Sequence, residues 1–277
     1  MRVAKRQIKM TEQVIGERYR AGRGIGDRDT YRPWLDVHDL SSLGLSARVP
    51  CPKTGRLHHL LSGLETGAFM EFMLMPDVID VQEQYPLDRE DTRSIALEMG
   101  VAHPTYPGGK VDVVMTTDLV VHRRTPNGVV RYARSVKPVA ELDDARTLLK
   151  LEIERRYWKS RGIEWMLVTD LDQSRRRHTG IAWMYARLAL EEHEDPAYWS
   201  SRVDALLGAY RSGKAKTFAD IDTELRLRGH AAEGETVEIV RHLCATGRLI
   251  FDPERVFDIS WLLTELPLVE TGMRQAA

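Results

Sequence analysis

Three residues on one predicted hairpin could do chemistry: Asp118, Ser135 and Lys137. Asp118 lies in the β-branched run "VDVVMTTDLVV" (111–121), and "VVRYARSVK" (129–137) ends on Lys137 just before Pro138. Between the two runs, "TPNG" carries an Asn-Gly turn signal. A two-residue Asn127-Gly128 loop sets Asp118 opposite Lys137. A four-residue Thr-Pro-Asn-Gly loop, which suits the missing N–H of Pro126, sets Asp118 opposite Ser135 with Lys137 one diagonal away. In either register the period-two alternation puts all three on one face. An aspartate and a lysine on near-central strands are costly unless paired or in contact with water or metal. One reading is a structural ion pair at a strand end. The other is hydrolysis of a phosphodiester, with the carboxylate holding a hard divalent cation and the ammonium beside the attacking water. Magnesium takes oxygen ligands and keeps several waters, so two or three carboxylates suffice. A second carboxylate is available in Glu65, although Ser62-Gly63-Leu64-Glu65 is also a capping box.

These residues need elements to hold them. "SGLETGAFMEFMLM" (62–75) predicts a helix, and "VIDVQEQYP" (78–86) a half-buried strand ending at a proline. The stretch 142–160 predicts a long helix with Leu142, Ala145, Leu149, Ile153 and Tyr157 as its apolar stripe, and "IEWMLVTD" (163–170) a further buried strand. The order helix, strands, long helix, strand specifies an α/β domain with a mixed sheet over 1–172. From 173 to 277 strands nearly vanish: helices are predicted at 180–193, 197–211, 217–228 and 236–246, then a short strand "RLIF". That order is compatible with a winged helix, and a plain helical bundle would read almost the same. The Arg-rich stretch 173–179 is the expected linker.

The chain has 277 residues, 43% of them apolar, enough for two modest domains. Cys51 and Cys244 lie far apart with no zinc-type spacing, so a reduced, intracellular protein is expected. The N-terminus has no apolar stretch after its basic residues and nothing approaches about 18 continuous apolar residues, which sets the expectation at cytoplasmic. Net charge is −1 and selects no partner, yet residues 1–23 hold seven Lys/Arg against two acids. A second basic cluster is Arg175, Arg176, Arg177 and His178. Both patches suit phosphate contact and equally suit a solvated arm and loop. Lys53, Arg56, His58 and His59 are further candidates for phosphate contact, the histidines also for metal or for a structural role near a helix cap. The tryptophans fall on apolar stripes and are assigned to the core. Gly-Arg-Gly-Ile-Gly (22–26) has neither the strand before it nor the Gly-Lys-Ser/Thr after it that a phosphate loop needs. Neither cysteine has a His/Asp neighbour and no Gly-x-Ser-x-Gly occurs, which removes serine and cysteine nucleophiles.

An acid, a loop, then x-x-Lys on the next strand is the active-site pattern of restriction-endonuclease-like nucleases. The combination "TGRLHHLLSGLE" (54–65), "QYPL" (84–87), "TTDLVV" (116–121), "VKP" (136–138), "DDARTLLKLEIERRYW" (143–158) and "VTD" (168–170) is more specific. In that order it resembles the TnsA-type endonuclease subunits of bacterial cut-and-paste transposons, over roughly residues 10–185. The resemblance implies a restriction-endonuclease-like N-terminal domain and a winged-helix-like C-terminal one. It implies catalytic acids at Glu65 and Asp118, a catalytic lysine at Lys137, and Mg2+ (or Mn2+) in one or two sites. The activity implied is hydrolysis at the 5′ ends of the transposon, while a transposase, TnsB, processes the 3′ ends and an ATP-dependent regulator, TnsC, contacts the C-terminal domain. Where the family pattern has glutamine two residues before the lysine, this chain has Ser135. A serine is too short to place an oxygen where an amide would. The candidate metal set is therefore Glu65, Asp118 and Ser135, extended by the Val136 carbonyl, a water, or Glu154, which otherwise reads as the partner of Lys150 four residues earlier. Two rival readings are an assembly factor with weakened catalysis that bridges transposase and regulator, and a stand-alone restriction or repair nuclease.

Overall fold

The computed structural model describes residues 9–39, 45–108, 110–189 and 195–269. The chain divides into two compact units, Met1–Met73 with Asp77–Gln173, and Leu74–Pro76 with Ser174–Ala277.

In the first unit, helix α1 (Glu12–Arg20) precedes a hairpin of β1 (Ala47–Cys51) and β2 (Arg56–Leu60), and α2 (Gly63–Leu74) follows. A four-stranded sheet is built from β3 (Val78–Pro86), β4 (Thr116–Thr125), β5 (Gly128–Val136) and β6 (Glu164–Val168), in that spatial order. β3, β4 and β5 are antiparallel neighbours and β6 joins β5 in parallel, so the sheet is mixed. Parallel neighbours need a crossover, and α4 (Ala145–Ser160) supplies it. β4 is central, and its Leu119, Val120 and Val121 are buried on both faces. The turn after it pairs Thr125 with Gly128 and sets Leu119 opposite Arg134. This is the four-residue register: Pro126 sits where no N–H is required, and Gly128 takes φ 120°.

Several expectations need correction. β4 begins at Thr116 instead of Val111, because Tyr106 N–H donates to the Val111 carbonyl and Val113 N–H to that of Pro104, folding 111–113 against 104–106. β6 is an edge strand with Met166 half exposed, not a buried one. α4 buries Leu151, Ile153, Glu154, Tyr157 and Trp158, while Ala145 and Leu149 face outward, so its buried stripe is rotated from the one expected. The β1–β2 hairpin and α3 (Arg89–Glu98) were not anticipated; α3 starts at Asp88, whose carboxylate accepts the N–H groups of Glu90 and Asp91. α1 and the loop after it are not a free basic arm. Arg18 is buried against Asp39 and Arg23 reaches Asp36, while Arg2, Lys5 and Arg6 lie outside the described residues. Leu87, Val120, Ala133, Ile153 and Trp158 form the core between sheet, α3 and α4.

The second unit is α5 (Arg175–Tyr185), α6 (Pro196–Arg211), α7 (Phe218–Leu227) and α8 (Glu235–Ala245). Proline opens α6 and a Thr217–Asp220 capping box opens α7. Leu206, Phe218, Ile221, Ile239 and Leu243 are its fully buried centre. The Arg-rich stretch expected as linker is the N-cap Ser174 and first turns of α5, and the helix expected to reach 193 ends at Tyr185, with 190–194 outside the described residues. "RLIF" forms no strand; Leu249 makes a single antiparallel bridge with Leu268. Cys51 and Cys244 are buried and form no disulfide. Among the described residues no helix is long and apolar enough to cross a membrane.

Candidate active site

The site sits where the sheet breaks its own alternation. Gln82, Val120 and Ala133 are paired across β3, β4 and β5, and Val120 and Ala133 pack toward α4. Glu83 points the opposite way, to Arg56 and His58 of β2. Tyr85 should follow Glu83, yet it packs on Trp158 of α4, 5.6 Å between ring centroids. The cause is Gln84, a non-glycine residue at φ 47° in a strand. Such a conformation costs on the order of 1 kcal/mol or more and persists only where the surroundings enforce it. Its carbonyl leaves the ladder to accept Trp34 N–H. After the reversal Tyr85 and its partner Thr117 face α4, while Gln84 and Asp118 turn toward the start of α2.

Glu65 waits there, in the first turn of α2. Its N–H donates to Ser62 Oγ and its Oε2 accepts Leu61 N–H, both at 3.1 Å, a cap that fixes the carboxylate. The Gln84 amide joins the two acids, Nε2 donating to Glu65 Oε2 at 3.3 Å and to Asp118 Oδ1 at 3.4 Å. Thr116 Oγ1 donates to Gln84 Oε1, which orients the amide. On its far side Asp118 Oδ2 accepts Lys137 Nζ at 2.8 Å and Val136 N–H at 2.7 Å. Lys137 Nζ also donates to the Val136 carbonyl at 2.9 Å, and its own N–H is held by the Val168 carbonyl of β6. The lysine at the strand end is thus pinned at both its backbone and its ammonium.

Ser135 does not join them. It keeps the face of Ala133, and Asp118 leaves that face at the Gln84 reversal, so the expectation that Asp118, Ser135 and Lys137 share one face is corrected. Ser135 Oγ donates to Glu154 Oε1 at 2.5 Å and accepts Trp165 Nε1–H. The same Glu154 oxygen accepts Thr117 Oγ1 at 2.6 Å, and Trp158 Nε1–H supports Thr117. Ser135 is therefore a holder of Glu154 and not a donor toward Asp118. Glu154 is not the partner of Lys150.

The electrostatics are those of an acid cluster short of positive charge. Burial, then the charge of Asp118, pushes Glu65 up to about 7, and the same two causes push Glu154 up to about 7. Lys137 is pulled down by burial, but Asp118 outweighs that through charge and hydrogen bond, so the ammonium is held above its ordinary value. Asp118, Lys137 and Glu154 open on a cavity of about 520 Å³. As they stand, no three His, Cys, Asp or Glu side chains among the described residues converge closely enough to hold an ion. The donor set nonetheless fits a hard cation: carboxylate oxygens from Glu65 and Asp118, a backbone carbonyl at Val136, and two carboxyls whose ionisation one ammonium does not offset.

Most of the DNA candidates in the first unit serve other ends. His58 has no exposed surface; it is clasped between Thr54 Oγ1 and Glu83 Oε2, and bonds from Cys51 and Glu83 raise its pKa against burial. Arg56 spends its guanidinium on both oxygens of the fully buried Glu83 and on the Val81 carbonyl. Neither can reach a phosphate. His59 is partly buried with Nδ1 accepting Val37 N–H, and Lys53, also partly buried, donates to the Val78 carbonyl. Arg175 and Arg176 are exposed in the first turn of α5. Gln84 was missed, although "QYPL" contains it: a glutamine in an alternating strand gives no sign of positive φ.

A family model described as the TnsA-like endonuclease N terminal matches residues 75–170, a span that holds Gln84, Asp118, Lys137 and Glu154. Transposon Tn7 transposition protein TnsA of Escherichia coli is 34% identical over 255 residues, 92% of this chain and 91% of that protein. With a mixed sheet of restriction-endonuclease-like type and a mainly helical C-terminal unit, this chain belongs to the TnsA family and is a nuclease subunit of transposition.

Proposed function

We propose that the chain hydrolyses phosphodiesters at the 5′ ends of a transposon with Glu65, Asp118 and Lys137 as its catalytic residues and magnesium, or manganese, as its cofactor. The observation that carries this is Asp118 bonded at once to Lys137 and, through the Gln84 amide, to Glu65, beside a cavity open to a substrate. Glu65, Asp118 and the Val136 carbonyl would hold the ion, with Glu154 behind them. An ion held there would lower the pKa of a water and offset the charge that builds on the phosphate. Lys137 stays charged at neutral pH because Asp118 raises its pKa. It therefore orients water and stabilises negative charge and does not act as a base. Ser135 and Thr117 hold Glu154 in place.

In this reading the substrate is transposon-end DNA, the transposase subunit TnsB makes the 3′ cuts, and the regulator TnsC engages the C-terminal unit. Arg175 and Arg176, exposed at the positive end of α5, suit a phosphate contact there. The test is transposon excision by the assembled transposase. Asp118→Ala should abolish 5′ cutting and leave assembly and 3′ cutting intact, whereas undiminished 5′ cutting by this variant ends the proposal.

A further inference from the structure

One row of α4 side chains leads out of the cavity. Arg146, Lys150 and Glu154, four residues apart, all line it together with Asp118 and Lys137. Residues at this spacing share a helix face and rise about 6 Å per step, so the row extends roughly 12 Å outward from Glu154. Among the described residues neither cation on it is held in a salt bridge. Glu154 gives its Oε1 to Thr117 and Ser135, and the N-cap Asp144 gives its carboxylate to the N–H groups of Arg146 and Thr147 and to the Thr147 hydroxyl. Asp144 lies close enough to Lys150 to feel its charge, but neither Arg146 nor Lys150 makes a salt bridge among the described residues, and both are exposed. Further along the same helix most cations are tied down: Arg155 and Arg156 to Glu152, and Arg161, at its C-cap, to Asp91. Lys159, in the last turn, does not line the cavity. The positive charge that α4 turns toward the acids is that of Arg146 and Lys150.

The acid cluster repels phosphate, so a polyanion needs compensating charge along its approach. We infer that Arg146 and Lys150 form a phosphate-binding wall that grips the DNA strand on one side of the cut and delivers the scissile phosphate to Asp118 and Lys137. Arg146 and Lys150 stand about 6 Å apart along the helix, a separation that lets each meet a neighbouring phosphate of one strand. The inference rests on the nuclease reading and deepens it. Its recognition is of backbone and not of base edges, which makes it indifferent to sequence.

The test uses the full chain, a fluorescently labelled duplex of arbitrary sequence, Ca2+, and a series of salt concentrations. Each cation that meets a phosphate contributes about 0.9 to the slope of log affinity against log salt. The Arg146→Ala/Lys150→Ala protein should therefore bind about 10- to 100-fold more weakly with a slope shallower by about 1.8. Arg146→Lys should keep the slope, and Arg155→Ala/Arg156→Ala, on the same helix but engaged with Glu152, should leave it unchanged. Melting temperature and Mn2+ uptake by the protein alone, read by calorimetry, should stay at wild-type values. An unchanged slope in the double variant overturns the inference, and so does a loss of DNA binding matched by loss of Mn2+ uptake or of melting temperature. Asp118→Ala separates the two levels. If that variant still cuts, the nuclease site itself is wrong; if it does not cut while the double variant keeps the wild-type salt slope, only the wall is lost.

Discussion

Ser135 and Glu154 share a short hydrogen bond, the serine hydroxyl donating to Glu154 Oε1 across 2.5 Å. The residue that departs from the family pattern is thus engaged by the second rank of the site. Ser135→Ala should remove one of two hydroxyl donors from a carboxyl that burial and Asp118 already hold near about 7. A bond to a charged group is worth about 1.5–3 kcal/mol, so Glu154 should ionise about one to two pH units higher. The acid limb of the cleavage pH profile should move up by that amount, and a limb that stays in place would show that Glu154 does not govern it.

Glu65 makes the ion-free protein sensitive to pH. Its carboxyl stands near about 7 against an ordinary 4.5, so the fold favours the protonated form. That stabilisation is complete below about pH 4.5 and is lost as pH rises through 7, a difference of about 3 kcal/mol at most. Melts between pH 5 and 8 should show this component vanish in Glu65→Gln. Magnesium should raise the melting temperature more at pH 8 than at pH 5, since the carboxyls must lose their protons to hold it. An equal magnesium effect across this range contradicts the assignment.

Gln84 combines a strained backbone with a bridging amide, and two substitutions separate them. Gln84→Gly removes the amide and relieves the strain, while Gln84→Ala removes the amide and keeps the strain. Glycine should be the more stable of the two by about 1 kcal/mol in chemical denaturation. Both should cleave at least about tenfold more slowly than wild type, the expected cost of letting two carboxylates drift. Wild-type cleavage by Gln84→Gly would reduce Gln84 to a backbone role.

Arg56 gives a control for its own reassignment. Arg56→Met strands Glu83, which has no exposed surface and whose carboxyl is held down at about 2 because bonds from His58 and Arg56 outweigh burial. Stability should fall by about 3–5 kcal/mol. Arg175→Ala, at an exposed position, should change it by less than about 0.5 kcal/mol. A stable Arg56→Met protein that had lost only DNA affinity would restore Arg56 as a phosphate contact.

Strong periodicities and caps were readable in the amino-acid order: α2, β3, β5 and the helices α6 to α8 lie close to where apolar spacing, prolines and Thr217 put them. The Pro126 argument left two turns open, and the four-residue one is present. Where the reading failed, a long-range partner decided the outcome. Arg56 and His58 look like surface cations until Glu83 is brought against them from 27 and 25 residues away. Arg18 looks like part of a basic arm until Asp39 covers it. Ser135 parts from Asp118 because one residue on the neighbouring strand takes a positive φ, which no side-chain pattern announces.

That single left-handed residue also guards assembly of the sheet. With alternation inverted at Gln84, sliding β3 along β4 by one position would turn the Glu83 carboxylate into the apolar layer beneath α4, and sliding by two would carry the Gln84 amide away from Asp118. Wrong alignments are penalised before any catalyst exists, so a correctly zipped β-ribbon and a competent hydrolytic centre are reached in one step.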